Sequence, residues 1–382
     1  MIYLDNGATT FPKPQSVINA VNKSIRNYGA NPGRSGHYMS VKASEIIYNC
    51  RVSGAKLFGI DNPENVIITN NCTTALNTVI KGILKNGDHA VISSLEHNAV
   101  VRPLENLLEN GVTYSIADYV PYNDEETINN FRNAIQDNTK LVICTAASNV
   151  FGVKLPITRL AALCKLYGIL FCVDGAQSAG VVPITLKNTD IDFYCTAGHK
   201  GLYGPMGTGL LIINSEILPE SLTQGGTGSL SQELKQPKLL PDKYESGTPN
   251  LSGIAGLDAG IKFVLAQKPE NIEKREIKLA QLLYQKLSKI KNVILYTDKP
   301  ELTSSVSVIS FNIKGYDSEE TASLLNSKYL IAVRAGLHCA PLAHKAYKTE
   351  KTGTVRAVMS VFTTSSDVNG LVYAVNSICN KI

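Results

Sequence analysis

The sequence predicts an α/β protein with two lobes, a large one on a mostly parallel sheet and a smaller α+β one. Three observations carry this. The chain has 382 residues, more than a single core usually organises. From about residue 60 to 215, short Val- and Ile-rich runs alternate with helix-like stretches, the pattern of strands covered on both faces. A Gly-, Ser-, Gln- and Pro-rich stretch, 225–249, then gives way to a long helical pattern and a second, sparser set of strand-like runs.

Taken in order, the strand-like runs of the large lobe are Val66–Thr69, His89–Ser93, Thr113–Ala117, Leu141–Thr145, Leu170–Val173, Phe193–Thr196 and Gly209–Ile213. Amphipathic segments lie between some of them, at Thr74–Leu84, Val100–Glu109 and Ile157–Tyr167. In such sheets ligands bind beyond the carboxyl ends of the strands, so polar residues just after an apolar run are the ones to read. The 225–249 stretch reads as a long functional loop. A helix over Leu251–Leu287 is expected to break near Pro269. The small lobe is expected to hold strands at Val293–Tyr296, Val306–Asn312, Ile331–Val333 and Thr354–Met359, and helices at Ser318–Ser327 and Ser366–Cys379. Thr364, three residues before Asp367, has the spacing of a capping signal.

Composition narrows the function classes. A net charge of +5 is small for this length, and Lys and Arg form no blocks, so neither nucleic acid nor a membrane surface is an expected partner. The first ten residues contain Asp5 and lack a cationic start followed by an apolar run, so no secretory leader is expected. The most apolar window, Leu166–Ile184, is interrupted by Asp174, Gly175 and Gln177 and does not read as a membrane span. Eight cysteines are scattered without CxxC pairs, which points to a reduced, cytoplasmic protein without a disulfide framework.

Two strand ends carry chemistry. Val173-Asp174-Gly175-Ala176-Gln177 puts a carboxylate at the end of an apolar run, where burial is costly without a cationic partner. On local grounds alone the turn or helix N-cap reading of Asp174 is favoured; the sharper reading pairs it with a protonated pyridine nitrogen. The next run ends in Ala197-Gly198-His199-Lys200-Gly201, where an amine between small residues can approach an aldehyde and lose its charge by desolvation. The glycines that follow fit neither a dinucleotide fingerprint nor a P-loop, because they lead into a strand rather than a helix.

Asp174 to Gln177, followed by Gly198-His199-Lys200 and Tyr203-Gly204-Pro205-Met206-Gly207-Thr208-Gly209, closely resembles the class V aminotransferase family of fold-type I pyridoxal-phosphate (PLP) enzymes. Within it, Arg334-Ala335-Gly336-Leu337-His338-Cys339-Ala340 resembles the motif of group II cysteine desulfurases and selenocysteine lyases. The similarity runs in order from Tyr3-Leu4-Asp5 to Arg356. It implies a large domain over 15–262 with a mostly parallel seven-stranded sheet, and a small α+β domain formed by 263–382 and completed by 1–14.

The resemblance also implies roles. Lys200 would join the PLP aldehyde, Asp174 would pair with the pyridine nitrogen, and Gln177 would bond the phenolic oxygen. His97 would stack on the ring and shuttle protons. Asn149 would lie beside the phenolic oxygen and the substrate carboxylate. Thr73 and His199 would hold the phosphate, joined by Thr248 from a second subunit, which implies a homodimer with composite sites. Arg356 would clamp the substrate carboxylate, with Arg334 nearby. Cys339 would be the thiolate that takes sulfur or selenium, favoured by His338 or Arg334. Thr74, Ala197 and Thr363 depart from the residues usual in relatives. A metal cluster of His338, Cys339 and His344 lacks a second ligand pair, so no metal is expected. The expected activity is conversion of L-cysteine to L-alanine with a Cys339 persulfide passed to an acceptor protein. The alternatives are selenocysteine lyase, another PLP reaction of the fold (C–S lyase, transaminase or epimerase), or a non-catalytic PLP-binding scaffold.

Overall fold

The computed structural model describes residues 1–33 and 36–380. Its strands are β1 (Ile2–Tyr3), β2 (Val66–Thr69), β3 (His89–Ser93), β4 (Thr113–Ala117), β5 (Thr139–Thr145), β6 (Leu170–Asp174), β7 (Phe193–Ala197), β8 (Gly209–Ile213), β9 (Val293–Leu295), β10 (Val308–Ile313), β11 (Ile331–Ala332) and β12 (Val355–Val358). Strands β2 to β8 form one seven-stranded sheet in the order β2-β8-β7-β6-β5-β3-β4. Only β8 runs against its neighbours β2 and β7; the other pairings are parallel.

Strands β3, β7 and β8 are buried along their whole length, which is why they read as continuous apolar runs. Alternate residues face opposite layers. Ala90, Ile92, Cys195 and Leu211 pack with Leu76, Val79 and Ile80 of the helix Cys72–Ile83 and with Val100 and Leu104 of the helix Asn98–Leu108. Val91, Val142, Val173, Tyr194 and Leu210 face the helices Ile157–Tyr167 and Leu251–Gln267.

The smaller lobe joins an antiparallel sheet β12-β10-β9 to a parallel ribbon β1-β11. Its core holds Leu283, Phe311, Leu325, Val355, Leu371 and Val375, and also Leu4 from the start of the chain. The long helical pattern divides into Leu251–Gln267 and Pro269–Leu287, turning at Lys268 with φ +66°. Proline at the first position of the second helix makes that turn the natural break. Thr364 and Asp367 form a reciprocal capping box on the helix Ser365–Cys379. Residues 225–249 contain no helix or strand. The strand β1 and the helices Gln15–Asn27, Tyr38–Phe58, Asp124–Ala134 and Pro341–Ala346 were outside the sequence expectation. Asp124–Ala134 is polar on most of its surface, with only Thr127, Ile128 and Phe131 buried, too thin an apolar stripe to stand out. Among the described residues, no helix is long and apolar enough to cross a membrane.

Candidate active site

The carboxyl ends of β5, β6 and β7 deliver Thr145, Asp174 and Ala197 to one cleft of about 180 Å³. The loops that follow add Asn149, Gln177, His199 and Lys200, and His97 and Thr73 enter from the starts of two helices. Seven of the expected side chains, Lys200, Asp174, Gln177, His97, Asn149, Thr73 and His199, therefore line a single space.

Asp174 is only 3% exposed. Its Oδ1 accepts from the Ala176 amide at 2.9 Å and from the Cys72 thiol at 3.5 Å. Burial lowers the Lys200 pKa from its ordinary value, and Asp174 opposes that shift. Such an amine is closer to its nucleophilic, neutral form. The Lys200 carbonyl accepts from Thr10 Oγ1 at 3.0 Å, and the preceding His199 carbonyl accepts from the Thr10 amide at 3.1 Å and from Lys13 Nζ at 2.8 Å. The Lys200 loop is thus held by Thr10 and Lys13, near the start of the chain.

His97 caps the helix Asn98–Leu108 by accepting the Ala99 amide on Nδ1 at 3.0 Å. Burial lowers its pKa, countered by Asp174. Behind it Glu96 is fully buried, accepting from Ser93 Oγ and, at 2.7 Å, from the Thr145 amide, and burial raises it to about 8. Gln177 Nε2 donates to the Gly7 carbonyl at 3.0 Å.

These groups fit a pyridoxal phosphate. An acid for the pyridine nitrogen and an amine for the aldehyde share the cleft. For the phosphate there is the helix start at Cys72, where Asn71 Oδ1 caps the Thr74 amide at 2.8 Å and leaves the first two amides of the helix for an anion. His199 Nδ1 is buried without a partner, a polar atom whose position suits an absent ligand. Burial and Lys200 lower the His199 pKa to about 4, so the ring is neutral in the ligand-free protein. Asp174 and Lys200 would hold the ring end, and Thr73, His199 and the helix start the phosphate. Thr196 gives no substitute for the departure at Ala197, because strand alternation places its hydroxyl on the opposite side, fully buried and unpartnered.

Cys339 is the exposed cysteine, whereas the other seven are buried, and all eight are free thiols. His338 and Cys339 both have positive φ, +51° and +57°, a sparsely populated conformation for such side chains that surrounding bonds must hold. Those bonds come from the cleft walls: the Asn98 amide donates to the Cys339 carbonyl at 2.7 Å, and Asn149 Nδ2 donates to the His338 carbonyl at 2.8 Å. The expectation that His338 favours the thiolate is not met. Its Nε2 lies 3.0 Å from the Thr354 carbonyl, and burial with Arg356 nearby lowers its pKa to about 3, so it is neutral.

Arg356 and Arg334 exchange backbone hydrogen bonds, N to O, at 2.8 and 3.2 Å. Neither side chain lines the cleft. Arg356 sits one layer behind it, 1% exposed, donating through Nη1 to the Asn149 carbonyl at 2.7 Å and through Nη2 to Asp5 Oδ1 at 3.1 Å. Thr248 is exposed on a different cleft of about 460 Å³, beside Glu245 and Thr74. It is therefore not part of its own chain's cluster. Asp5, Cys72 and Glu96 were not singled out from sequence. Asp5 lay within the Tyr3-Leu4-Asp5 resemblance, but its partner is 351 residues away.

The class-V aminotransferase model matches residues 2–371 of the chain. A probable cysteine desulfurase from Methanothermobacter thermautotrophicus is 30% identical over 375 residues, covering 96% of this chain and 92% of that protein. A cysteine desulfurase from Escherichia coli O157:H7 is 30% identical over 385 residues, covering 97% and 92%. The apo structure of a cysteine desulfurase from Thermococcus onnurineus NA1 superposes with a TM-score of 0.92 at 30% identity, covering 100% of this chain and 95% of that one. With the sheet order, the lysine–aspartate cleft and a match along nearly its whole length, this chain belongs to the class-V aminotransferase family.

Proposed function

We propose that the protein is a PLP-dependent cysteine desulfurase that converts L-cysteine to L-alanine and leaves the sulfur as a persulfide on Cys339. The observation that carries this reading is the tethering of the Cys339 loop: its backbone is bonded to Asn98 and Asn149, beside His97 and at the wall of the Lys200 cleft. A cysteine kept for packing would be buried, as the other seven are.

The residues divide the work. Lys200 Nζ, its pKa lowered by burial, takes the proton from the substrate Cα. When bound, PLP supplies the electron sink for the pair that this releases. Asp174 would keep the pyridine nitrogen protonated, Gln177 would meet the phenolic oxygen, and His97 would lie over the ring and pass protons. Arg356, with Asn149 and Arg334 at its side, receives the substrate carboxylate. The Cys339 thiolate attacks the substrate Sγ, the Cβ–Sγ bond breaks with its pair going to Cβ, and Cβ takes a proton to become the alanine methyl. Sulfur is oxidised to the persulfide level and the carbon is reduced in equal measure, so no outside redox partner is needed.

Thr248 is exposed and does not line the cleft of its own chain, so it suits a phosphate contact in a second copy, which supports a homodimer. The exposed Cys339 supports hand-over to an acceptor protein, and eight free thiols suit the cytoplasm. Incubation of purified holoenzyme with L-cysteine tests the reading by its products. Alanine equal to the sulfur released is expected; pyruvate would make it a C–S lyase, and a new amino-acid and keto-acid pair a transaminase.

A further inference from the structure

Arg356 is one of the largest fully buried side chains of the molecule, yet the proposed reaction needs it to meet the substrate carboxylate. An ionised guanidinium without a counter-charge is costly in such a place. The molecule supplies that counter-charge itself, through Asp5 Oδ1 at 3.1 Å, with 24% of the Asp5 side chain exposed. Gly7 also lies against the guanidinium. A Cβ on Gly7 would lie 3.1 Å from both Cζ and Nη2 of Arg356. Arg356 Nε remains buried with no partner, so one edge of the fork is unused.

The same segment reaches the cofactor residues. Gln177 holds the Gly7 carbonyl, and Thr10 holds the carbonyls of His199 and Lys200. On the small lobe it is fixed by Asn6 Nδ2 to the Val358 carbonyl at 2.9 Å and by the bridge of Asp5 to Val358.

We propose that Asp5 is a resident surrogate for the substrate's carboxylate: it neutralises Arg356 in the ligand-free protein and leaves when an α-amino acid's carboxylate takes its place. This rests on the reading of Arg356 as the carboxylate clamp. The exchange makes a free α-carboxylate the condition for opening the 5–10 strap, and a ligand lacking one leaves Asp5 where it is. It also explains why a binding residue lies behind the cleft, since it is uncovered only by the ligand that can replace its partner. The orphaned Nε then has an acceptor, because a carboxylate can span Nε and Nη2 in the bidentate geometry.

Calorimetric titration of the holoenzyme with L-alanine and L-alaninamide tests this. Asp5→Asn removes the competing carboxylate and should tighten L-alanine binding by about fivefold or more, leaving L-alaninamide unchanged. Unchanged or weaker L-alanine binding, or equal tightening of both ligands, overturns the proposal. In the wild-type protein, L-alanine should speed hydrogen exchange at the Ala8 and Thr9 amides, which now bond the Asp5 carbonyl, and L-alaninamide should not. Equal exchange with both ligands also overturns it. Arg356→Gln separates the two levels: undiminished L-alanine binding in that variant sinks the clamp reading and the surrogate together, whereas weakened binding with no Asp5→Asn effect sinks the surrogate alone.

Discussion

Lys200 and Cys339 present their nucleophilic atoms under opposite conditions. Lys200 lies at the end of a fully buried central strand, on a loop whose carbonyls are clamped by Thr10 and Lys13, and burial lowers its pKa. Cys339 is exposed and stands on a loop held through backbone bonds to Asn98 and Asn149. In the proposed reaction the difference follows from what each atom would do. An amine that would return to the same aldehyde at every turnover needs a fixed, dry position, and the carboxyl end of a buried interior strand provides one. A thiol that would collect sulfur inside and deliver it outside needs access on both sides, and the bonds to this loop fasten its backbone.

The largest effect is expected at the fixed end. Lys200→Ala should reduce turnover by at least about 10³-fold, measured as alanine formation, because the proton-moving amine and the anchor are removed together. Asp174→Asn should weaken PLP retention and turnover by about 10²-fold, since a buried charge partner is lost; equilibrium dialysis of the cofactor checks it. At the tethered end Asn149→Ala removes the bond to His338 together with a group beside the substrate carboxylate, and should cost about tenfold in sulfur transfer while PLP stays bound. A loss of PLP equal to that of Asp174→Asn would erase the distinction between the two ends.

The smallest effect concerns the core behind the cleft. Glu276 is 3% exposed, accepts from Ser307 Oγ at 2.9 Å, and burial raises it from 4.5 to about 8, with Glu273 adding to the shift and Arg275 opposing it. A raised folded-state value means its stabilisation is complete below about 4.5 and is lost as pH rises through about 8. Thermal melts of Glu276→Gln should therefore lose less Tm than wild type between pH 6 and 9, with the variant about 2–4 °C higher at the alkaline end. Some slope remains, because Glu96 is raised in the same way.

The large lobe was legible because its strands are buried on both faces and its chemistry sits at their ends. Asp174 and Lys200 each follow an apolar run, and local reading plus motif order was enough to place them. The Pro269 break and the Thr364–Asp367 cap were legible because their physics is local. What escaped was non-local. Nothing near Asp5 in sequence indicates Arg356, and nothing near Cys339 indicates Asn98 or Asn149 as its tethers. His338, adjacent to Cys339 in sequence, suggested an activating cation, yet its ring turns away to Thr354. Adjacency along the chain gives no side-chain direction where φ is left-handed at two successive residues.

The central claim is that sulfur passes through Cys339, and one measurement reaches it directly. Holoenzyme is given one equivalent of L-cysteine without an acceptor, quenched, alkylated and mapped by mass spectrometry, beside the Cys339→Ser variant. The account predicts one added sulfur on the Cys339 peptide for each alanine formed, and neither persulfide nor alanine above background in the variant. Alanine formed by the variant at the wild-type rate, or added sulfur on any other cysteine in place of Cys339, would contradict it.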